Sequence, residues 1–184
     1  MNMQPISGGF SNAPLQSATA FRAVLQAMSR PGLWQAIDGA APPAPLSQAS
    51  GALILTLADP NTPVHLAGTL DCDAVRGWIT FHTGAPLVAA QDADFAVGAW
   101  DDLQPLDRFA IGTPEYPDRA ATLIIELDGV PAANARLTGP GIDGEITAFC
   151  PGDRPTAFPL GLDLILTDGA RIMGLPRSTG LEFL

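Results

Sequence analysis

The sequence predicts an α/β protein of one domain, a mixed β-sheet flanked by helices, on three observations. Helical and strand patterns alternate over the first half of the chain, and strand patterns joined by short turns fill much of the second half. The third is size: 184 residues, 47% of them hydrophobic, suit one core of ordinary dimensions. Gly 19 and Pro 18 mean short elements and many turns, which excludes coiled coils and long helices. No internal repeat, low-complexity tail or domain boundary divides residues 1–184.

Ser17 to Arg30 reads as an amphipathic helix. Ala18, Phe21, Leu25 and Met28 recur at helical spacing as its apolar stripe, Arg22 sits on the polar face, Ser17 can cap it and Pro31-Gly32 stops it. Leu33 to Ile37 reads as a short strand, and the proline-rich stretch Ala40 to Pro45 as a surface connection. A second helix follows over Ser47 to Ala58, ended by Asp59-Pro60. Val64 to Ala67 is a strand, and a third helix runs from a cap at Asp71 to about Phe81, breaking at His82-Thr83-Gly84. Phe95 to Gly98 is another strand. Further strands are predicted at Ala121 to Leu127, Ala135 to Thr138, Asp163 to Thr167 and Ile172 to Leu175, the first and third apolar enough to lie inside a sheet. Strands joined by short turns pair antiparallel, so the sheet is expected to be mixed.

Charge narrows the chemistry. All nine basic residues are arginines, and there is no lysine. That excludes a lysine Schiff base and the phosphate-binding lysine of a Walker A loop. Any side-chain cation aimed at a ligand is a guanidinium or a protonated histidine, and the planar guanidinium suits bidentate recognition of phosphate, phosphonate or carboxylate. A net charge of -10 argues against nucleic acid and against anionic lipid surfaces. The start, MNMQPISGG, lacks the parts of a secretory signal, and the apolar stretch near Ala52 to Ala58 is too short to span a bilayer, so a cytoplasmic location is expected. Cys72 and Cys150 are isolated and read as reduced, packed thiols.

Gly139-Pro140-Gly141-Ile142-Asp143-Gly144 formally matches the dinucleotide fingerprint GxGxxG. A dinucleotide site needs a helix to start there, and Pro151-Gly152 leaves little room for one, so a tight strand-ending turn is expected. Phe81-His82-Thr83-Gly84 brings an imidazole, a hydroxyl and free amides to a helix end, where they can hold an anion, move a proton, or simply meet the last carbonyls. His65, between Val64 and Leu66, reads as a surface or structural residue. No histidine spacing calls for a metal, and the acid pairs Asp71/Asp73, Asp92/Asp94 and Asp101/Asp102 read as caps or solvated loops. Arg30 and Arg177 sit at element ends, where loops place functional groups. No GxSxG elbow supports a serine hydrolase.

Read together, FRAVLQAMSRPG (21–32), LTLADPNTPV (55–64), FHTGAPLV (81–88), ADF (93–95), GTPEYPDRAATLI (112–124), LTGPGI (137–142), FPLGLDLILT (158–167) and LPRST (175–179) resemble the PhnH family, a subunit of the bacterial carbon-phosphorus lyase system. The resemblance covers nearly the whole chain. It implies a core-complex subunit that works with G, I and J subunits in phosphonate catabolism. There an alkylphosphonate displaces adenine from ATP to give a ribose 1-alkylphosphonate 5-triphosphate, and the I subunit is regarded as the catalytic centre. It further implies a fold like the large domain of pyridoxal-phosphate-dependent transferases without the cofactor, and a homodimer when alone. Carried over by matching motif, the candidate ligand-binding residues are Arg22, Arg30, His82, Thr83, Gly141, Asp163 and Arg177. No catalytic residue, cofactor or metal is assigned, and the possible ligand is a phosphonate or a nucleotide. The alternative is a free-standing enzyme or binding protein for a small phosphorylated metabolite, with His82 as acid or base.

Overall fold

The computed structural model describes residues 6–184. Its first half contains α1 (Ala13–Ser29), β1 (Gln35–Ala36), α2 (Gln48–Leu57), β2 (Val64–Leu66), α3 (Asp73–Thr83) and β3 (Phe95–Gly98). After these come β4 (Thr122–Glu126), β5 (Ala135–Thr138), β6 (Ile146–Ala148), β7 (Thr156–Ala157) and β8 (Leu160–Gly161). The chain ends with β9 (Asp163–Asp168), β10 (Arg171–Leu175) and β11 (Gly180–Phe183). Six strands form the main sheet in the order β1-β10-β9-β4-β3-β2. β2, β3, β4 and β9 run parallel, while β10 turns back antiparallel on β9 and carries β1 on its outer edge, so the sheet is mixed as expected.

Strand alternation divides the core in two. Val64, Val97, Ile124, Ile165 and Ile172 face one side, where α1, α2 and α3 all pack. Leu123, Ile125, Leu164, Leu166 and Met173 face the other, which is covered by Leu103, Leu106, Phe109 and a second, three-stranded antiparallel sheet in the order β11-β5-β6. The α-helices therefore lie on one face only. The predicted strand Ala135 to Thr138 exists but belongs to the small sheet, because its alternating residues Ala135 and Leu137 close the second core instead of extending the first.

Three helix details differ from expectation. First, α1 starts at Ala13, with Asn12 at its N-cap, and not at Ser17. Its buried residues are Ala20, Val24 and Ala27, so the stripe containing Phe21 and Leu25 points outward. Close approach explains this: a Cβ on Gly174 of β10 would lie 2.6 Å from the Ala27 carbonyl oxygen, and a helix that near a strand can turn only small residues inward. Second, α3 continues through His82 and Thr83 to Gly84, whose left-handed φ of 70° ends it. Third, its N-cap is Cys72, while Asp71 forms an ion pair with Arg76. By contrast α2 spans the expected residues, and its start is capped by the Ser47 hydroxyl, which accepts from the Ser50 N–H at 3.1 Å.

Candidate functional site

Four of the sequence candidates gather at the C-terminal end of α1. Arg30 is its C-cap residue, and Gly141, at φ 84°, presses its backbone against Ser29 and Pro31 on either side. The GPGIDG segment is thus the turn between β5 and β6, with Gly139 and Gly141 both at positive φ and no helix starting there, as the sequence predicts. Met28 of the same helix lines a cavity of about 370 Å³ with Pro117, Phe158, Asp163 and Arg177.

Within that cavity Arg177 is turned onto its own protein. Its main-chain N–H donates to Asp163 Oδ1 at 2.6 Å, and its guanidinium reaches the same carboxylate at 2.6 to 3.2 Å. A further bond goes to the Pro117 carbonyl at 2.5 Å. Both side chains are only 16% exposed. This bidentate pair ties the start of β9 to the segment leaving β10, so an incoming anion must compete with a carboxylate already in place.

His82 and Thr83 lie apart from this group, at the end of α3. The Thr83 hydroxyl donates to the Ile79 carbonyl at 2.8 Å and accepts from the Ala85 N–H at 3.0 Å, which closes the helix. The His82 ring stands 5.0 Å, centroid to centroid, from both Trp78 and Phe81. The incoming N-terminal segment covers it, so that a Cβ on Gly9 would lie 2.6 Å from the ring. His82 Nε2 is buried with no hydrogen-bond partner. Arg22 stands alone on the exposed side of α1; among the described residues neither it nor Arg30 has an ion-pair partner.

One polar feature escapes the sequence reading, and His65, read there as a surface or structural residue, gains a partner. Arg154, in a loop with no regular pattern, is buried and donates to the carbonyls of Leu175 and Pro176, pinning the end of β10. His65 points its Nδ1 at the Val88 carbonyl, 3.0 Å away. Since a carbonyl only accepts, that nitrogen carries the proton and Nε2 is left open. His65 lines a cavity of about 340 Å³ with Asp71 and Arg76, where the guanidinium holds the Asp71 carboxyl below the usual carboxylate range. Burial raises the Cys150 thiol, consistent with a packed, unreactive cysteine. Among the described residues no group of three or more His, Cys, Asp or Glu side chains could hold a metal ion, and no helix is long and apolar enough to cross a membrane.

Fold and site together define an α/β domain that has no lysine to anchor an aldehyde cofactor and whose interior arginines are bonded to its own carboxylates and carbonyls. Pyridoxal phosphate therefore does not fit as a covalent lysine adduct. The chain belongs to the PhnH family of bacterial phosphonate metabolism proteins, whose pattern matches residues 8–182. It is 38% identical to the alpha-D-ribose 1-methylphosphonate 5-triphosphate synthase subunit PhnH of Rhizobium meliloti (strain 1021), over 97% of this chain and 96% of that protein. It is also 30% identical, over 92% of this chain and 87% of the relative, to HtxG of Stutzerimonas stutzeri, whose name places it among C-P lyase subunit proteins.

Proposed function

We propose that this chain is a non-catalytic or jointly catalytic subunit of a carbon-phosphorus lyase core complex. It would support formation of a ribose 1-alkylphosphonate 5-triphosphate from ATP and an alkylphosphonate. The observation that carries the reading is the end-to-end match to a relative named as a subunit of the synthase for the methylphosphonate compound, with neither chain holding a large unmatched segment. Its partners are then the G, I and J types of subunit, its location is the cytoplasm, and alone it forms a homodimer. The sheet-and-helix arrangement is compatible with kinship to the large domain of pyridoxal-phosphate-dependent transferases. In this chain such a fold serves without the cofactor.

The ligand reading is narrower. Arg30 and the Gly141 turn, beside the cavity that contains Asp163 and Arg177, form the place where a phosphonate or nucleotide anion would lodge. Arg22, His82 and Thr83 act elsewhere. The experiment is co-expression with the other core subunits, followed by growth on an alkylphosphonate as sole phosphorus source. The chain is expected to copurify with the other subunits and to restore growth to a strain lacking its own copy. Purification alone together with failure to restore growth would end the subunit reading. Equal growth with wild type and with a folded Arg30 and Arg177 double alanine variant would end the idea that this place holds a ligand.

A further inference from the structure

A helix that packs on a sheet normally turns its larger apolar residues inward, and α1 does the reverse. Inside lie Ala20, Val24 and Ala27; outside lie Leu15 at 67% exposure, Phe21 at 46% and Leu25 at 51%. Leu15, Ala18, Arg22 and Leu25 follow one another at three- and four-residue steps, and Phe21 stands three residues after Ala18 and four before Leu25, so these side chains make one continuous stripe opposite the buried one. A groove of about 370 Å³ runs beside its first half, lined by Leu15, Thr19 and Ile37, with the exposed Asp38 as its one carboxylate. Single exposed apolar residues need no explanation, but a stripe larger in side-chain size than the buried face of its own helix does.

Charge indicates what covers it. The chain carries nineteen acidic residues, yet α1 contains none, and its one charged residue, Arg22, lies within the stripe. A second copy would lay α1 against α1. Because Arg22 is next to the helix midpoint, a two-fold pairing there would bring both guanidinium groups into a drying contact with no carboxylate on either helix to neutralise them. A different protein has no such symmetry and can place an acid opposite Arg22.

We propose that the outward face of α1 is the surface by which this chain docks onto a different subunit, one presenting an apolar patch with a carboxylate facing Arg22. This rests on the subunit reading above and names the surface it uses. The test is copurification and affinity measurement with the co-expressed core subunits for wild type, Leu25→Glu, Phe21→Ser, Arg22→Glu and Arg22→Lys, with Phe183→Ser as a control at an exposed apolar residue of β11, in the small sheet on the other side of the molecule. Since the altered side chains are exposed, all variants should melt with the wild type. Leu25→Glu, Phe21→Ser and Arg22→Glu are expected to weaken association at least tenfold, with Arg22→Lys and Phe183→Ser close to wild type. If the wild type assembles and the α1 variants assemble equally well, the assignment of this face is wrong while the subunit reading stands. If the wild type never assembles, the subunit reading fails and takes this proposal with it. A homodimer that Leu25→Glu splits, with heteromeric assembly intact, gives the face to a second copy and overturns the proposal.

Discussion

At the scale of single residues, the arginines separate by what they already hold. The sequence singled out Arg177 and gave Arg154 no role, yet both are bonded to their own protein around the end of β10, while Arg22 and Arg30 face outward. Arg177→Ala would leave the Asp163 carboxylate, already largely withdrawn from water, with only the Arg177 main-chain N–H among the bonds that residue now supplies. Loss of a buried partner costs about 3–5 kcal/mol, and the remaining exposure of this pair reduces that to roughly 2–3 kcal/mol. Chemical denaturation should show this loss for Arg177→Ala and a smaller one for Arg177→Ala combined with Asp163→Asn, which removes the stranded charge. Additive losses would show that the two side chains do not depend on each other. The sequence placed Arg177 at an element end and matched Asp163 by motif, but their pairing was illegible because it joins positions fourteen residues apart through tertiary geometry.

At the scale of elements, α2 was legible and α1 was half legible, for one physical reason. The start of α2 is written locally: Ser47 caps Ser50 at 3.1 Å, and its own N–H donates to Glu126 Oε1 at 2.9 Å, placing a carboxylate at the positive end of the helix. Ser47→Ala should cost about 1 kcal/mol, read as a lower unfolding midpoint, and an unchanged midpoint would show that the Glu126 contact alone suffices. In α1 the periodicity was visible but its direction was not, because apolar spacing says which residues share a face and not what that face meets. The inward face is chosen by Gly174, where a methyl group would collide with the Ala27 carbonyl. Gly174→Ala is therefore expected to destabilise by about 1–3 kcal/mol through overpacking. A neutral effect in the same denaturation experiment would mean that α1 can lift from β10. The small sheet was the least legible part: β6 and β11 are short and lie at the turn-rich end of the chain, and they become strands only because β5 stands between them.

At the scale of the molecule, the division of the sheet into a helical face and a strand-covered face sets where contacts can form. The helical face carries the apolar stripe of α1, and the net charge of -10 acts over all of it. Two copies approaching one another repel through that charge, whereas docking through Arg22 onto an acidic partner gains from one local attraction. The two kinds of assembly should therefore respond to salt in opposite directions. Raising ionic strength from about 0.01 M to about 0.15 M shortens the screening length from roughly 30 Å to roughly 8 Å. Self-association measured by sedimentation should strengthen over that range, because screening removes the mutual repulsion and leaves apolar burial untouched. Association with the heterologous subunits through α1 should weaken in wild type, and the weakening should shrink in Arg22→Gln, which keeps a polar side chain and loses the charge. A heteromeric affinity whose salt dependence is the same in wild type and Arg22→Gln would remove the ion pair from the interface and leave the stripe to act by apolar contact alone.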